Sequence, residues 1–267
     1  MKIALIQLAY GDSETPADRL QRVCGLVREQ RGHDLIVLPE LWSAGAFDYR
    51  RWPEREQQVD GEITAALGAV ARGIGAVVHT GSIVERPPDE PGPEGRGLWN
   101  TSVIVGPDGG VCATYRKIHR FGFGSGEPKL MEAGSDVVVV DLPAPVDSLK
   151  VGISTCYDLR FPELYRRQID LGAEMLLLAS AWPAARVDAW RTLLKARAIE
   201  NQCFVVACNT AGTHANTEMG GRSAVIDPWG NVLAEAGIND EALSAEIDPT
   251  QVEQWRDRFP ILTDRRL

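Results

Sequence analysis

VGISTCYDLRFPELYR, residues 151–166, is the stretch from which the rest of the chain can be read. Val151, Ile153 and Thr155 alternate with small residues, the pattern of a buried strand. The strand ends on Cys156. Pro162 stands where a helix can begin, and Glu163, Leu164 and Tyr165 continue in helical fashion. A cysteine at such a strand-to-helix turn is lifted off the sheet edge, where nearby backbone N–H groups favour a thiolate and an oxyanion. It also reads as a buried free cysteine, one of the most buried residue types. The flanking stretches have to decide between the two.

Downstream, the pattern predicts a helix over 161–171, a strand over 175–179, a helix over 186–202 and a strand over 203–208. Trp190, Leu194 and Arg197 fall near one stripe of the second helix. SAVIDPWGNVLAEA then forms a hairpin turning on Asp227-Pro228-Trp229-Gly230. Upstream lie strands over 136–141 and 149–155, preceded by a long loop, KIHRFGFGSGEPKLMEAG, residues 117–134. Its glycines precede Pro128 with no helix following at once, which argues against a phosphate cradle. TSVIVGPDGGVCATYRK is a second hairpin, turning on Pro107-Asp108-Gly109-Gly110. ERPPDEPGPEGRG, residues 85–97, reads as a surface excursion between two strands. Before it come a strand over 76–84, a helix over about 61–73 and the β-rich run from Asp34 to Leu38, stopped by Pro39 with Glu40 just beyond. A helix over 17–30, with Leu20, Val23 and Val27 at helical spacing, follows a first strand over 2–10. Alternating strands and helices predict an α/β fold, and the two hairpins a mixed sheet rather than a parallel one. Their similarity hints at internal two-fold symmetry.

The chain has 267 residues, 44% hydrophobic and 24% charged, enough for one large core. A net charge of −9 argues against nucleic acid or an anionic membrane surface as the partner. No apolar run is long enough to span a bilayer, and MKIALIQLAYGDS reads as a strand rather than a signal peptide. A cytoplasmic protein is expected. The five cysteines include no CxxC pair, so a disulfide framework is not expected. Cys203 and Cys208 should face opposite sides of one strand and cannot share a metal. The four histidines form no HExxH-like cluster, so no metal and no cofactor is expected.

A nucleophilic Cys156 needs a base. No histidine has a distinctive setting, but Glu40, at the end of a buried strand, could serve if burial raises its pKa toward that of a thiol. It also reads as an ordinary surface acid. Lys117, ending the strand VCATYRK, could steady an anion or be an edge charge. No G-x-S-x-G elbow is present, which disfavours a serine hydrolase.

LPE at 38–40, YRKIH at 115–119 and CYDLRFPE at 156–163 resemble, in order and spacing, the three blocks of the nitrilase superfamily of carbon–nitrogen hydrolases. The resemblance extends over the chain to ARAIENQ at 196–202, and CYDLRF is similar to the Nit-type, ω-amidase-like branch. It implies a single domain over 1–267, an α/β fold built as a four-layer αββα sandwich with two mixed sheets, and a homodimer or higher homo-oligomer joined through helices beside the nucleophile. It implies Glu40 as general base, Lys117 as the cation beside the tetrahedral intermediate, Cys156 as nucleophile and the Tyr157 N–H as an oxyanion donor. A second glutamate is implied in the loop after the lysine: Glu127, with Glu132 as competitor. The implied reaction converts a small amide to acid and ammonia through a cysteine thioester. An N-carbamoyl amide or a nitrile on the same site, and a non-catalytic scaffold, are the rival readings. Arg160 is the candidate to bind a substrate carboxylate, or else a structural arginine. The pocket is expected to be small and strongly polar.

Overall fold

Strands that are apolar on both faces must be covered on both, and this chain supplies two such sets. The computed structural model describes residues 1–89 and 91–266; Glu90, in the 85–97 excursion, lies outside them. The first sheet contains β1 (Lys2–Gln7), β2 (Leu35–Val37), β3 (Val77–Glu85), β4 (Trp99–Val105), β5 (Val111–Arg116) and β14 (Glu241–Glu246), in the order β14-β1-β2-β3-β4-β5. The second contains β6 (Val139–Asp141), β7 (Lys150–Thr155), β8 (Met175–Ala179), β9 (Phe204–Cys208), β12 (Ala224–Ile226) and β13 (Val232–Glu235), in the order β6-β7-β8-β9-β12-β13. β10 (Thr213–His214) and β11 (Thr217–Glu218) form a separate small ladder.

The two orders match element for element. Each sheet has an antiparallel edge strand, three parallel strands and a terminal hairpin. Helices α1 (Pro16–Glu29) and α2 (Glu62–Ile74) join the parallel strands of the first sheet; α4 (Pro162–Asp170) and α5 (Val187–Asn201) do so in the second. The two similar hairpins of the sequence are thus equivalent parts of an internal repeat.

Side-chain alternation assigns the layers. Ile3, Leu5, Leu35 and Val37 of one sheet meet Val151, Ile153, Met175 and Leu177 of the other in a core between the sheets. Their neighbours Ala4, Ile6, Ile36 and Val78 turn outward onto Leu20, Val23 and Val27 of α1 and Ile63 and Leu67 of α2. Leu176, Leu178 and Val205 turn outward onto Trp190 and Leu194 of α5. The result is the αββα sandwich. Cys208 lies in the central core and Cys203 under α5, on opposite faces as the spacing required.

Three expectations need correction. β1 stops at Gln7 because the chain beyond it changes partner, with Leu8 accepting from the Ala211 N–H of the second sheet's side. The expected 136–141 strand is only β6. The 117–134 segment is not all loop, since Glu127–Leu130 makes one turn of helix, α3, directly after Gly126. A 3₁₀ turn, Cys156–Arg160, separates β7 from α4. Beyond the hairpin, β14, whose EALSAE is largely exposed, and α6 (Gln251–Arg258) are elements that no sequence pattern announced. No helix among the described residues is long and apolar enough to cross a membrane.

Candidate active site

Glu40, Lys117 and Cys156 each lie just past the end of a strand: β2, β5 and β7. The chain around Glu40 is fixed by close packing. Gly81 of β3 has φ +78°, and a Cβ there would stand 2.0 Å from the Pro39 carbonyl oxygen, so only glycine lets the backbones approach this closely. The Leu41 N–H donates to Ser82 Oγ at 3.1 Å, and the Glu40 N–H to the Ser180 carbonyl at 3.3 Å. Glu40 is therefore held by both sheets.

Lys117 Nζ, 2% exposed, donates to Glu40 Oε1 at 2.7 Å and to Glu127 Oε1 at 2.9 Å. Asn100 Nδ2 donates to the same two oxygens, at 2.8 and 2.7 Å. The remaining oxygens each accept a backbone N–H: Glu40 Oε2 from Ala181 at 2.9 Å, Glu127 Oε2 from Phe121. Two buried carboxylates thus share one ammonium and one amide. Burial works against the Lys117 ammonium, but the charges of Glu127 and Glu40 outweigh it and hold the group well above the ordinary lysine range. Burial raises the Glu127 carboxyl, and Lys117 pulls it partly back. Nearby Tyr49 is pushed up to about 12 by burial and by the charges of Glu127 and Glu40. Glu132, the competing carboxylate, faces elsewhere. It accepts the N–H groups of Glu94 and Arg96 at 2.9 and 2.5 Å and anchors the 85–97 excursion.

Cys156 has φ +45°, a left-handed conformation that costs a residue with a Cβ about 1–2 kcal/mol. Asp158, fully buried, holds the turn in that shape. Its Oδ2 accepts the Thr155 N–H at 2.9 Å and the Tyr115 hydroxyl at 2.7 Å; its Oδ1 accepts the His119 N–H at 3.0 Å and lies 2.8 Å from His119 Nδ1. Tyr115 and His119 flank Lys117 in sequence, and Thr155 precedes Cys156. One carboxylate therefore ties the lysine's segment to the cysteine's. The sequence reading passed over Asp158 and saw no setting for His119, whose ring stacks on Phe161 at 3.8 Å. The DLR of CYDLRFPE contained the signal, an acid two residues after the nucleophile and inside its turn.

The Cys156 thiol is raised far above its ordinary value, first by burial and then by the Glu40 charge. Burial and the Glu40 charge therefore favour the thiol over the thiolate that the backbone N–H groups of the turn favour. The Ser180 hydroxyl lies beside this thiol and pulls it partly back down.

Above the thiol a cleft of about 240 Å³ is lined by Phe47, Phe121, Tyr157, Trp182, Arg160 and Arg186, among others. A deeper space of about 260 Å³ is lined by Glu40, Lys117, Glu127 and Cys156 together with Tyr49 and Trp52. The pocket is small, as expected, and polar at its floor and at its two outer arginines, but the walls between them are aromatic. The Arg160 guanidinium lies over the Trp182 ring at 4.8 Å. Tyr157 packs edge-on against Phe121, at 5.4 Å, and its N–H belongs to the first turn of the 3₁₀ segment, whose leading amides lack carbonyl partners of their own helix. Sequence reasoning missed Asn100, Phe47, Trp182 and Arg186. For Asn100 the signal was an amide interrupting an otherwise buried strand; the others come from loops whose convergence only the fold reveals.

The family described as carbon-nitrogen hydrolase matches residues 2–257. A 2-oxoglutaramate amidase of Paenarthrobacter nicotinovorans is 42% identical over 100% of this chain and 90% of its own length. A 2-oxoglutaramate amidase of Bacillus subtilis is 34% identical, over 97% of this chain and 94% of its own. The solved structure of XC1258 from Xanthomonas campestris, a CN-hydrolase superfamily protein with an arsenic adduct in its active site, superposes with a TM-score of 0.88. It is 31% identical, over 100% of this chain and 97% of that one.

Proposed function

The chain belongs to the carbon–nitrogen hydrolase family, and from that premise we propose that it hydrolyses the ω-amide of a short acid, with Cys156 as nucleophile, Glu40 as base and Lys117 as oxyanion cation. The observation that carries this reading is the convergence of an ammonium, two carboxylates and a buried thiol at the floor of one cleft.

The proposed steps are these. Cys156 Sγ attacks the amide carbonyl carbon while its proton passes to Glu40. The oxyanion is held by Lys117 Nζ and the Tyr157 N–H. Glu40 returns the proton to the departing nitrogen, the C–N bond breaks, and ammonia leaves a thioester on Cys156. Water, deprotonated by Glu40, attacks the thioester and releases the acid, and the thiol recovers its proton. Glu127 shares Lys117 and Asn100 with Glu40, so its role is to hold the lysine and orient the amide.

The acid end of the substrate is assigned to Arg160. Its guanidinium has no ion-pair or side-chain hydrogen-bond partner among the described residues. Two relatives named above are 2-oxoglutaramate amidases, and 2-oxoglutaramate is by its structure the ω-amide of such an acid. The chain acts as one catalytic domain, and we assign it to the cytoplasm as a homodimer. Five free thiols suit a reducing compartment. Ile199 of α5 and Leu171, just past α4, are 51% and 55% exposed on the helices beside the nucleophile, an apolar surface suited to a second copy.

The test compares ammonia release from an ω-amide acid, its methyl ester and the matching nitrile. The acid amide should be preferred over both. Preference for the nitrile, or equal rates on acid and ester, would refute the ω-amide-acid assignment.

A further inference from the structure

The cleft has a charge gradient that its catalytic floor does not explain. At the bottom stand Glu40 and Glu127. At the outer end stand two guanidinium groups, Arg160 and Arg186. The Arg186 guanidinium lies over the Phe121 ring at 5.3 Å, opposite the Arg160–Trp182 stack. The two arginines share a post: Trp182 carries Arg160 on its ring, and its Nε1 donates to the Arg186 carbonyl at 2.8 Å. Among the described residues neither guanidinium has a carboxylate or any other side-chain hydrogen-bond partner, in a chain with 37 acidic against 28 basic residues. Among the described residues no aspartate or glutamate lines this outer cleft. Aromatic rings position the two cations without neutralising them.

We propose that Arg186 is a specificity-determining residue: with Arg160 it reads the carboxylate end of the substrate and turns away amides whose acid end also carries an ammonium. This rests on the ω-amide-acid assignment above.

The charges set both the direction of entry and the selection. A monoamide of a dicarboxylic acid enters amide first, because its carboxylate is drawn to the guanidinium pair and repelled by the carboxylates at the floor. One guanidinium can grip the carboxylate with both of its parallel N–H donors. The other is then free for the remaining lone pairs or for a carbonyl oxygen beside the carboxylate. An α-ammonium at that place would face two cations with no acid to receive it. The outer cleft therefore suits a plain or 2-oxo acid amide and disfavours the corresponding α-amino acid.

The experiment measures kcat/KM for three amides of equal length, the 2-oxo acid, its methyl ester and the α-amino acid, in wild type, Arg186→Met and Arg186→Lys. Arg186 is on the surface, and thermal melting checks that each variant is folded. In Arg186→Met the acid-to-ester ratio should fall by about tenfold or more, the typical worth of a hydrogen bond to a charged group, mainly through KM. The ratio of amino acid to 2-oxo acid should rise. Arg186→Lys should recover much of both preferences, and added salt should erode them in wild type. If wild type prefers the acid and Arg186→Met keeps the wild-type ratios, the role of Arg186 is refuted while the ω-amide-acid assignment stands. If wild type itself treats acid and ester alike, both fall together.

Discussion

Lys117→Met removes the ammonium shared by two buried carboxylates. The contacts at 2.7 and 2.9 Å each correspond to about 6 kcal/mol of gross Coulomb attraction at an effective dielectric of about 20. Much of that offsets the desolvation of the three groups. What remains visible on deletion is the penalty of leaving a buried charge without its partner, roughly 3–5 kcal/mol. For a chain of this size that lowers Tm by on the order of 10 °C. The loss depends on pH. Glu127 already has a carboxyl pKa raised by burial, and losing Lys117, which pulls it down, raises it further. A carboxyl raised in the folded state stabilises the fold below the ordinary glutamate value of 4.5 and loses that contribution as pH rises through the raised value. The variant should therefore melt higher near pH 5 than near pH 8. Its acylation rate should fall by about 100-fold or more, the usual worth of one oxyanion donor. Thermal melts across that pH range and single-turnover ammonia release on the same samples measure both effects. A variant that melts like wild type at every pH, or acylates within tenfold of it, would refute the reasoning.

Three further substitutions separate the remaining roles. Glu40→Gln should slow ammonia release by about 100- to 10,000-fold, the range for a general base; a rate within tenfold of wild type would move the base elsewhere. Glu127→Gln should lower kcat through the shared Lys117, whereas Glu132→Gln should lower Tm by facing the Glu94 or Arg96 amide with a donor in place of an acceptor, and leave kcat within a few-fold. Steady-state kinetics and melting of the pair decide between them, and the reverse pattern would exchange the two glutamates. Asp158→Ala leaves four donors without an acceptor, at about 1–3 kcal/mol for each one that water cannot reach. Tyr115→Phe removes only one of those donors and should melt closer to wild type while keeping more activity.

The three residues that sequence alone picked out share one property: each ends a strand, in a local pattern that announces the strand. LPE, YRK and the run into Cys156 could be read because the alternation before them defines a buried edge. Glu127 over Glu132 could not be read that way. The two are five residues apart in one segment, and only the one-turn α3 aims one at Lys117 and the other at the 85–97 excursion. Asn100 comes from β4 of Glu40's own sheet and Ala181 from just past the end of β8 in the other, and their meeting on Glu40 follows from strand order and from the packing of one sheet on the other. β14 was illegible for a different reason. EALSAE lies at a sheet edge with mostly exposed side chains, so it never shows the apolar alternation by which the inner strands are recognised. The aromatic walls were misjudged because the polar blocks mark only the floor, while Phe47, Phe121 and Trp182 stand in loops without periodicity.

The central claim is that Cys156 carries the acyl group during turnover. The direct measurement is peptide mass mapping of wild-type protein, acid-quenched within the first turnover of an ω-amide acid. The predicted result is one adduct, equal to the substrate less ammonia, on the peptide bearing Cys156 and on none bearing Cys24, Cys112, Cys203 or Cys208. A first-turnover burst of ammonia with Cys156 unmodified, or an acyl group found on another residue, would contradict it.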